Sequence, residues 1–109
     1  MNHVLFLCSQ NKLRSPTAEA IFSDIEGFEV RSAGLNNDAV VSISPELVAW
    51  ADYIFVMEKS HRNKLRKKYR EFINKQRIIC LDIPDEYEFM DEGLIKLLKH
   101  RMGPFFSNT

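Results

Sequence analysis

A cysteine and an arginine six residues apart follow a short apolar run, and this spacing suits phosphoryl chemistry. The run over residues 4–7 ends at Cys8, and Arg14 opens a segment of helical period. A loop that leads from a strand into a helix start directs backbone N–H groups at one point, where the helix dipole adds positive potential. This potential favours the thiolate form of Cys8, which attacks phosphorus. The planar guanidinium of Arg14 suits two phosphoryl oxygens.

The residues around these two side chains fit an anion-binding loop. Asn11 tolerates the left-handed backbone that a tight turn around an anion requires. The Ser15 hydroxyl is able to donate to the Cys8 sulfur, and Ser15 followed by Pro16 predicts the N-cap and first residue of a helix. The predicted phosphate-binding loop consists of Ser9, Gln10, Asn11, Lys12, Leu13, Arg14 and Ser15.

A thiol after an apolar strand is more commonly a buried side chain without chemistry. The strand before Cys8, the Ser-Pro helix start after it and Asn11 in the loop favour a catalytic interpretation here. Cys80, the other of two cysteines, lies inside an apolar run and is interpreted as a buried strand residue. Two cysteines are too few to build a fold on disulfides.

Short segments rich in β-forming residues alternate with segments of helical period. Strands are predicted over residues 3–7, 28–32, 53–57 and 77–81. Helices are predicted to begin near Ser15, Pro45, Ser60 and Asp91. Gly103 and Pro104 are expected to end the last helix. The alternation predicts an α/β fold with an open, mostly parallel, four-stranded sheet, helices on both faces and the phosphate-binding loop after the first strand. Ligands of such sheets bind beyond the carboxyl ends of the strands, where Cys8 lies.

Length and charge exclude several classes of protein. The chain has 109 residues, and we predict one domain over residues 1–109. Fifteen basic and fifteen acidic residues give a formal net charge of zero, which does not indicate a nucleic-acid or membrane binder. No segment approaches a membrane span or a signal peptide, so we expect a cytoplasmic protein. The histidines show no ligand spacing, and we predict neither a metal nor a cofactor.

The fourth predicted strand leads into a segment rich in carboxylates. The leaving group of a phosphomonoester needs a proton, and Asp85 and Asp82 are both candidates to supply it. Without further context both residues also fit an ordinary loop. Tyr87 and Phe89 are candidates for the wall of an aromatic substrate slot, and packing over the sheet edge is an equal alternative.

Charge is segregated along the chain although the total is zero. The predicted third helix and its end carry seven basic residues: Lys59, Arg62, Lys64, Arg66, Lys67, Lys68 and Arg70. The later loop carries Asp82, Asp85, Glu86, Glu88, Asp91 and Glu92. The basic helix is able to dock a polyanionic substrate or nucleic acid, but a solvated helix face is the preferred interpretation.

Four segments in chain order resemble the low-molecular-weight protein tyrosine phosphatases. They cover residues 4–20, 32–34, 51–57 and 83–87. The resemblance implies a cysteinyl-phosphate mechanism without a metal, with Cys8 as nucleophile, Arg14 as phosphate clamp and Asp85 as general acid. It implies a phosphorylated protein, through phosphotyrosine, or a small phosphomonoester as the substrate.

The chain departs from the family pattern at three places. Gln10 stands where a glycine is common, and Leu13 stands where a second cysteine is typical. Without that cysteine, oxidation of Cys8 is harder to reverse. The segment 34–51 is shorter than its family equivalent, which contributes aromatic residues to the substrate site, and Glu86 replaces the usual proline beside Asp85.

Three other functions stay open beside a tyrosine phosphatase. A nucleotide or RNA phosphate is an alternative substrate because the specificity segment is short. A phosphate-binding domain without turnover is a further alternative. Arsenate reduction is disfavoured because it needs cysteines that relay a disulfide, and Cys80 is a poor candidate.

Overall fold

The computed structural model describes residues 2–106 and contains a four-stranded, fully parallel sheet. The strands are β1 (Asn2–Cys8), β2 (Phe28–Gly34), β3 (Tyr53–Val56) and β4 (Arg77–Cys80). Their order across the sheet is β2-β1-β3-β4. The predicted fold class and all four predicted strands are confirmed, with ends that shift by one or two residues.

Helices cover both faces of the sheet. They are α1 (Arg14–Phe22), α2 (Pro45–Trp50), α3 (Lys59–Lys68) and α4 (Glu92–Phe106), and a 3-10 turn (Arg70–Phe72) follows α3. Alternate residues of a strand point to opposite faces. Phe6 therefore packs in a cluster with α1 and α4, while Leu5 and Leu7 pack in a second cluster with α2 and α3. None of the described helices has the length and apolar character that crossing a lipid bilayer requires.

The predicted start of α1 is wrong by two residues. The helix begins at Arg14 with Leu13 as its N-cap residue, and no side chain caps it. The Ser15 hydroxyl is bonded inside the loop instead, to Asn11 and Cys8. Pro16 still lies in the first turn, where its missing N–H breaks no helical hydrogen bond. The start of α2 is as predicted, since Ser44 accepts a hydrogen bond from the Leu47 N–H at 3.2 Å.

The predicted end of α4 is also wrong. The helix continues through Gly103 and Pro104 to Phe106. The Phe105 ring lies 5.0 Å from the Phe55 ring, and the Phe106 ring lies 4.9 Å from the Phe22 ring. Burial of two aromatic rings offsets the strain of a proline inside a helix, about 3 kcal/mol. These two phenylalanines therefore pack on the sheet.

Candidate active site

A small cavity lies at the carboxyl end of β1. Its volume is about 110 Å³, and it is lined by Cys8, Ser9, Gln10, Lys12, Leu13, Arg14 and Asp85. A water molecule occupies roughly 30 Å³ in the liquid, so the cavity has room for a phosphoryl group but not for a whole substrate. The structure thus brings the predicted nucleophile, the predicted clamp and the predicted acid to one cavity.

The backbone of the loop turns its carbonyl groups away from the cavity side. The carbonyls of Cys8, Ser9 and Gln10 accept hydrogen bonds from the segment 35–40 at 2.9 to 3.0 Å. A trans peptide directs its N–H opposite to its C=O, so the N–H groups of residues 9–11 turn away from that segment. Within residues 2–106, the N–H groups of residues 9–13 donate to no backbone carbonyl. They are free to bind an anion.

Asn11 fixes the shape of the loop. Its φ of 57° lies in the left-handed region, as predicted from its side-chain type. The Nδ2 group donates to Ser15 Oγ and to Ser32 Oγ, both at 2.9 Å. Because Ser32 belongs to β2, this side chain ties the loop to the neighbouring strand.

A chain of hydrogen bonds leads from Glu19 to the Cys8 sulfur. Ser32 Oγ donates to Glu19 Oε1 at 2.5 Å and accepts from Asn11. Ser15 Oγ accepts from Asn11 and lies 3.0 Å from Cys8 Sγ, nearer than its other acceptor, the Ala33 carbonyl, at 3.4 Å. Either atom of the Ser15–Cys8 pair is able to donate, and donation from Ser15 Oγ stabilises the sulfur when it is a thiolate.

Gly34 permits the close approach of β2 to the loop. A Cβ atom at this position would lie 2.5 Å from Ala39 Cβ and 2.6 Å from the Ser9 carbonyl oxygen. Both distances are far below van der Waals contact. A glycine is therefore required here by space rather than by backbone conformation.

Arg14 is buried, with 4% exposure, and its guanidinium is held from several sides. Its Nη1 group donates to Glu58 Oε2 at 2.5 Å and to the Ile83 carbonyl at 2.8 Å, and its Nε lies 3.8 Å from Asp85 Oδ1. The hydrogen bond from Arg14 lowers the pKa of the Glu58 carboxyl from its ordinary value. These contacts fix the guanidinium at the cavity wall, which suits a clamp for phosphoryl oxygens.

His61 supports the loop from α3. Its Nδ1 accepts from the Glu58 N–H at 3.2 Å, so the neutral ring carries its proton on Nε2 and donates to Ser9 Oγ at 3.0 Å. Burial, and then the nearby Arg14 charge, lower the pKa of His61 from its ordinary value. The ring is therefore neutral at pH 7 and connects Ser9 to the start of α3.

The two candidate acids occupy different surroundings. Asp85 lines the cavity with Cys8. Asp82 has a φ of 54° and accepts a hydrogen bond from the Cys80 thiol at 3.3 Å. Burial raises the pKa of Cys80, which is half-buried at the end of β4. The geometry favours Asp85 over Asp82 as the acid.

The two aromatic residues predicted as substrate walls do not line this cavity. Tyr87 is half-buried and packs against the core cluster under α1 and α4. Phe89 is 52% exposed. Their contact with a substrate stays a prediction.

Sequence reasoning missed four supporting side chains: Glu19, Ser32, Glu58 and His61. Glu58 could have been predicted, because it follows β3 at the carboxyl edge of the sheet, where ligands bind. Glu19 and Ser32 lie inside segments that carry the family resemblance, but only the fold shows that Ser32 meets Asn11 and that Glu19 accepts from Ser32.

Residues 3–49 match the family described as low molecular weight phosphotyrosine protein phosphatase. No curated protein sequence matches the chain. The resemblance to this family predicted from the sequence is confirmed over that matched segment, which is less than half of the chain. Cys8 and Arg14 lie inside it, whereas Asp85, which also lines the cavity, lies outside it.

Solved structures extend the likeness in fold over nearly the whole chain. The tyrosine phosphatase Wzb from Escherichia coli K30, in complex with phosphate, superposes with a TM-score of 0.80 at 18% identity, covering 97% of this chain and 96% of that chain. SP-PTP, a low molecular weight protein tyrosine phosphatase from Streptococcus pyogenes, gives a TM-score of 0.79 at 17% identity with 99% and 95% coverage. YwlE arginine phosphatase from Geobacillus stearothermophilus gives a TM-score of 0.76 at 21% identity with 95% and 92% coverage. At these identities the solved structures establish the fold of the chain, and the family match covers residues 3–49.

Proposed function

We propose that this chain is a phosphomonoesterase that works through a cysteinyl-phosphate intermediate. The observation that carries the proposal is the shared cavity of Cys8, Arg14 and Asp85. Free loop N–H groups and a guanidinium surround the space where phosphoryl charge develops, and such fixed donors stabilise a transition state strongly.

In the first step, the Cys8 thiolate attacks phosphorus and an S–P bond forms. The ester P–O bond breaks, and its electron pair stays on the leaving oxygen. Asp85 gives its proton to that oxygen. Arg14 and the loop N–H groups bind the non-bridging oxygens.

In the second step, water attacks phosphorus while Asp85 accepts a proton from it. The S–P bond breaks, inorganic phosphate leaves and the Cys8 thiolate returns. Ser15 stabilises that leaving thiolate through the hydrogen bond at 3.0 Å. Asp85 therefore alternates between acid and base, as two-step phosphoryl hydrolysis requires.

Phosphotyrosine in proteins is the proposed substrate, in keeping with the family match over residues 3–49. The shallow cavity accepts the phosphoryl group and leaves the rest of the substrate on the surface. We also propose a cytoplasmic location and a single phosphatase-like domain over residues 1–109.

Hydrolysis of p-nitrophenyl phosphate tests the proposal. The wild-type chain and a Cys80→Ser control are expected to release nitrophenol at similar rates. Cys8→Ser is expected to lower kcat by at least about 10³-fold because the hydroxyl is a much weaker nucleophile. Activity that survives Cys8→Ser would exclude this mechanism.

The same preparations separate the alternatives. Vanadate or phosphate binding without hydrolysis of any phosphomonoester would indicate a phosphate-binding domain. Loss of free thiols on exposure to arsenate would indicate a reductase. We expect no such loss, because Cys80 hydrogen-bonds to Asp82 at 3.3 Å and is the only cysteine besides Cys8.

A further inference from the structure

A strong positive charge covers the exposed side of α3, and the proposed mechanism does not use it. The residues from Lys59 to Arg70 include seven basic side chains and no acidic one. Within residues 2–106, none of the seven lies within 4.0 Å of a carboxylate oxygen. This charge is therefore free to attract a polyanion.

Helix stability does not account for this cluster. Lys64 and Lys68 are four residues apart on the helix, as are Arg62 and Arg66, and like charges at this spacing repel. The helix dipole stabilises cations only in the last turn, where Lys68 and Arg66 lie. Arg62 and Lys64 lie before it and gain little from it.

Two adjoining grooves follow this side of α3. The first has a volume of about 620 Å³ and is lined by Leu35, Asn36, Asn37, Lys64, Lys67 and Lys68. The second has a volume of about 500 Å³ and is lined by Asn63, Arg66, Lys67, Arg70 and Ile73. Lys67 belongs to both, and we call this continuous surface the basic track. No carboxylate from the described part of the chain lines it.

The basic track begins beside the cavity that holds Cys8. The Asn36 N–H donates to the Ser9 carbonyl at 3.0 Å. His61, one turn before Lys64, hydrogen-bonds to Ser9 Oγ at 3.0 Å. Ser9 itself lines the cavity, so the Asn36 end of the track is separated from the cavity only by Ser9. From there the track follows α3, whose ten residues span roughly 15 Å.

We propose that the basic track binds the phosphodiester backbone of a single-stranded oligonucleotide whose terminal phosphomonoester enters the cavity. This inference rests on the proposed function and names its substrate class. Lysines recognise backbone phosphates as point charges. The side-chain amides of Asn36 and Asn37 suit the edges of bases.

The length of the track favours a nucleic acid over a phosphopeptide. A phosphopeptide presents one phosphate and scattered carboxylates, whereas an oligonucleotide presents a phosphate at every residue and matches a linear row of cations. The scissile P–O bond then joins phosphorus to a terminal ribose or deoxyribose oxygen. That oxygen takes the proton of Asp85, and the two steps are otherwise unchanged.

Release of phosphate from short oligonucleotides with a 5′- or 3′-terminal phosphate tests this inference. The comparison uses a variant with Lys64→Gln, Lys67→Gln and Lys68→Gln, and a matched control with Lys75→Gln, Lys96→Gln and Lys99→Gln. All six side chains are exposed, so both variants are expected to fold, which circular dichroism checks. The control removes the same charge at positions outside both grooves.

The track variant is expected to lower kcat/KM for the oligonucleotide at least tenfold and to change that for p-nitrophenyl phosphate less than twofold. A plot of log kcat/KM for the oligonucleotide against log salt concentration is expected to become shallower by about 2, since each phosphate contact on a single strand contributes roughly 0.7 to that slope. The control is expected to match the wild type on both substrates.

Equal effects of the two variants on the oligonucleotide, or no effect of either, would overturn the inference. If the track variant loses activity only on an acidic tyrosine-phosphorylated peptide, the track is a phosphoprotein site and the inference is also overturned. If no phosphomonoester is hydrolysed at all, the proposed function fails. Fluorescence anisotropy with a labelled oligonucleotide then tests separately whether the basic track binds nucleic acid. Binding that only the track variant loses supports the inference, and absence of binding by the wild type refutes it.

Discussion

At the scale of single residues, each side chain of the site has a task of its own. In the proposed mechanism Cys8 supplies the nucleophile and Ser15 donates to its sulfur. Arg14 is fixed by Glu58 and the Ile83 carbonyl. Asp85 is the member with the fewest contacts, since its side chain is 65% exposed and lies 3.8 Å from Arg14. The role of Asp85 as an acid is therefore tested by measuring catalytic rates rather than the free energy of unfolding.

Asp85→Asn is expected to slow poor leaving groups more than good ones. The quantity compared is kcat/KM, which reports the first step alone and not the hydrolysis of the shared intermediate. Phenyl phosphate needs protonation of its leaving oxygen, so its kcat/KM is expected to fall about 10²–10⁴-fold. The kcat/KM for p-nitrophenyl phosphate is expected to fall much less, because nitrophenolate leaves without a proton. Steady-state rates with both esters measure this, and Asp82→Asn serves as the control. An equal loss with both esters would exclude Asp85 as the general acid.

At the scale of secondary-structure elements, the ends of β1 and β2 determine the shape of the loop. Gly34 at the end of β2 allows the Ser9 carbonyl to approach, and Asn11 bonds to Ser32 on the same strand. The loop geometry therefore depends on the parallel pairing of these two strands, in which Cys8 lies opposite Gly34.

Gly34→Ala is expected to displace the loop and to abolish most of the phosphatase activity. The added Cβ has to move the Ser9 carbonyl or Ala39, and overpacking of this kind costs about 1–3 kcal/mol. Denaturant unfolding and p-nitrophenyl phosphate hydrolysis measure the two effects. Gly103→Ala is the matched control, because nothing lies within 4 Å of a Cβ at that position. Wild-type activity in Gly34→Ala would contradict the close approach.

The strands and the cysteine loop were predictable from the sequence because their signals are local. Apolar runs, a Ser-Pro helix start at Pro45 and the type of residue at Asn11 each indicate their structure without distant contacts. The end of α4 was not predictable, because Phe105 and Phe106 extend the helix through rings on distant strands and helices. The contacts of Glu58 and His61 were missed for the same reason, since Arg14 and Ser9 lie far away in the chain.

At the scale of the whole molecule, charge is divided between two sides of one sheet edge. The basic track lies on α3, whereas the acidic segment after β4 contributes Asp85 to the wall of the cavity. The neutral total charge hides this division. An approaching anion is therefore directed to the Ser9 side of the cavity.

Global stability is expected to fall as the pH decreases from about 6.5. The pKa of His61 is lowered in the folded chain, so the unfolded chain binds the proton first and stability is lost as the pH falls toward the folded pKa. Carboxyl groups such as Glu58 titrate in a separate, lower range, because the pKa of Glu58 is also lowered from 4.5. Urea unfolding between pH 7.5 and 5.5 measures the effect. In His61→Gln the side chain at position 61 cannot titrate, so the free energy of unfolding is expected to change less between these two pH values. If it changes with pH as steeply as in the wild type, His61 is not the group responsible.

The most direct test of the account is rapid-quench mass spectrometry of the chain during turnover of p-nitrophenyl phosphate. The account predicts that a peptide containing Cys8 gains the mass of one phosphoryl group within the first turnover and that Asp85→Asn prolongs the lifetime of this species. Turnover with no phosphoryl group on Cys8, or with the group on another residue, would contradict it.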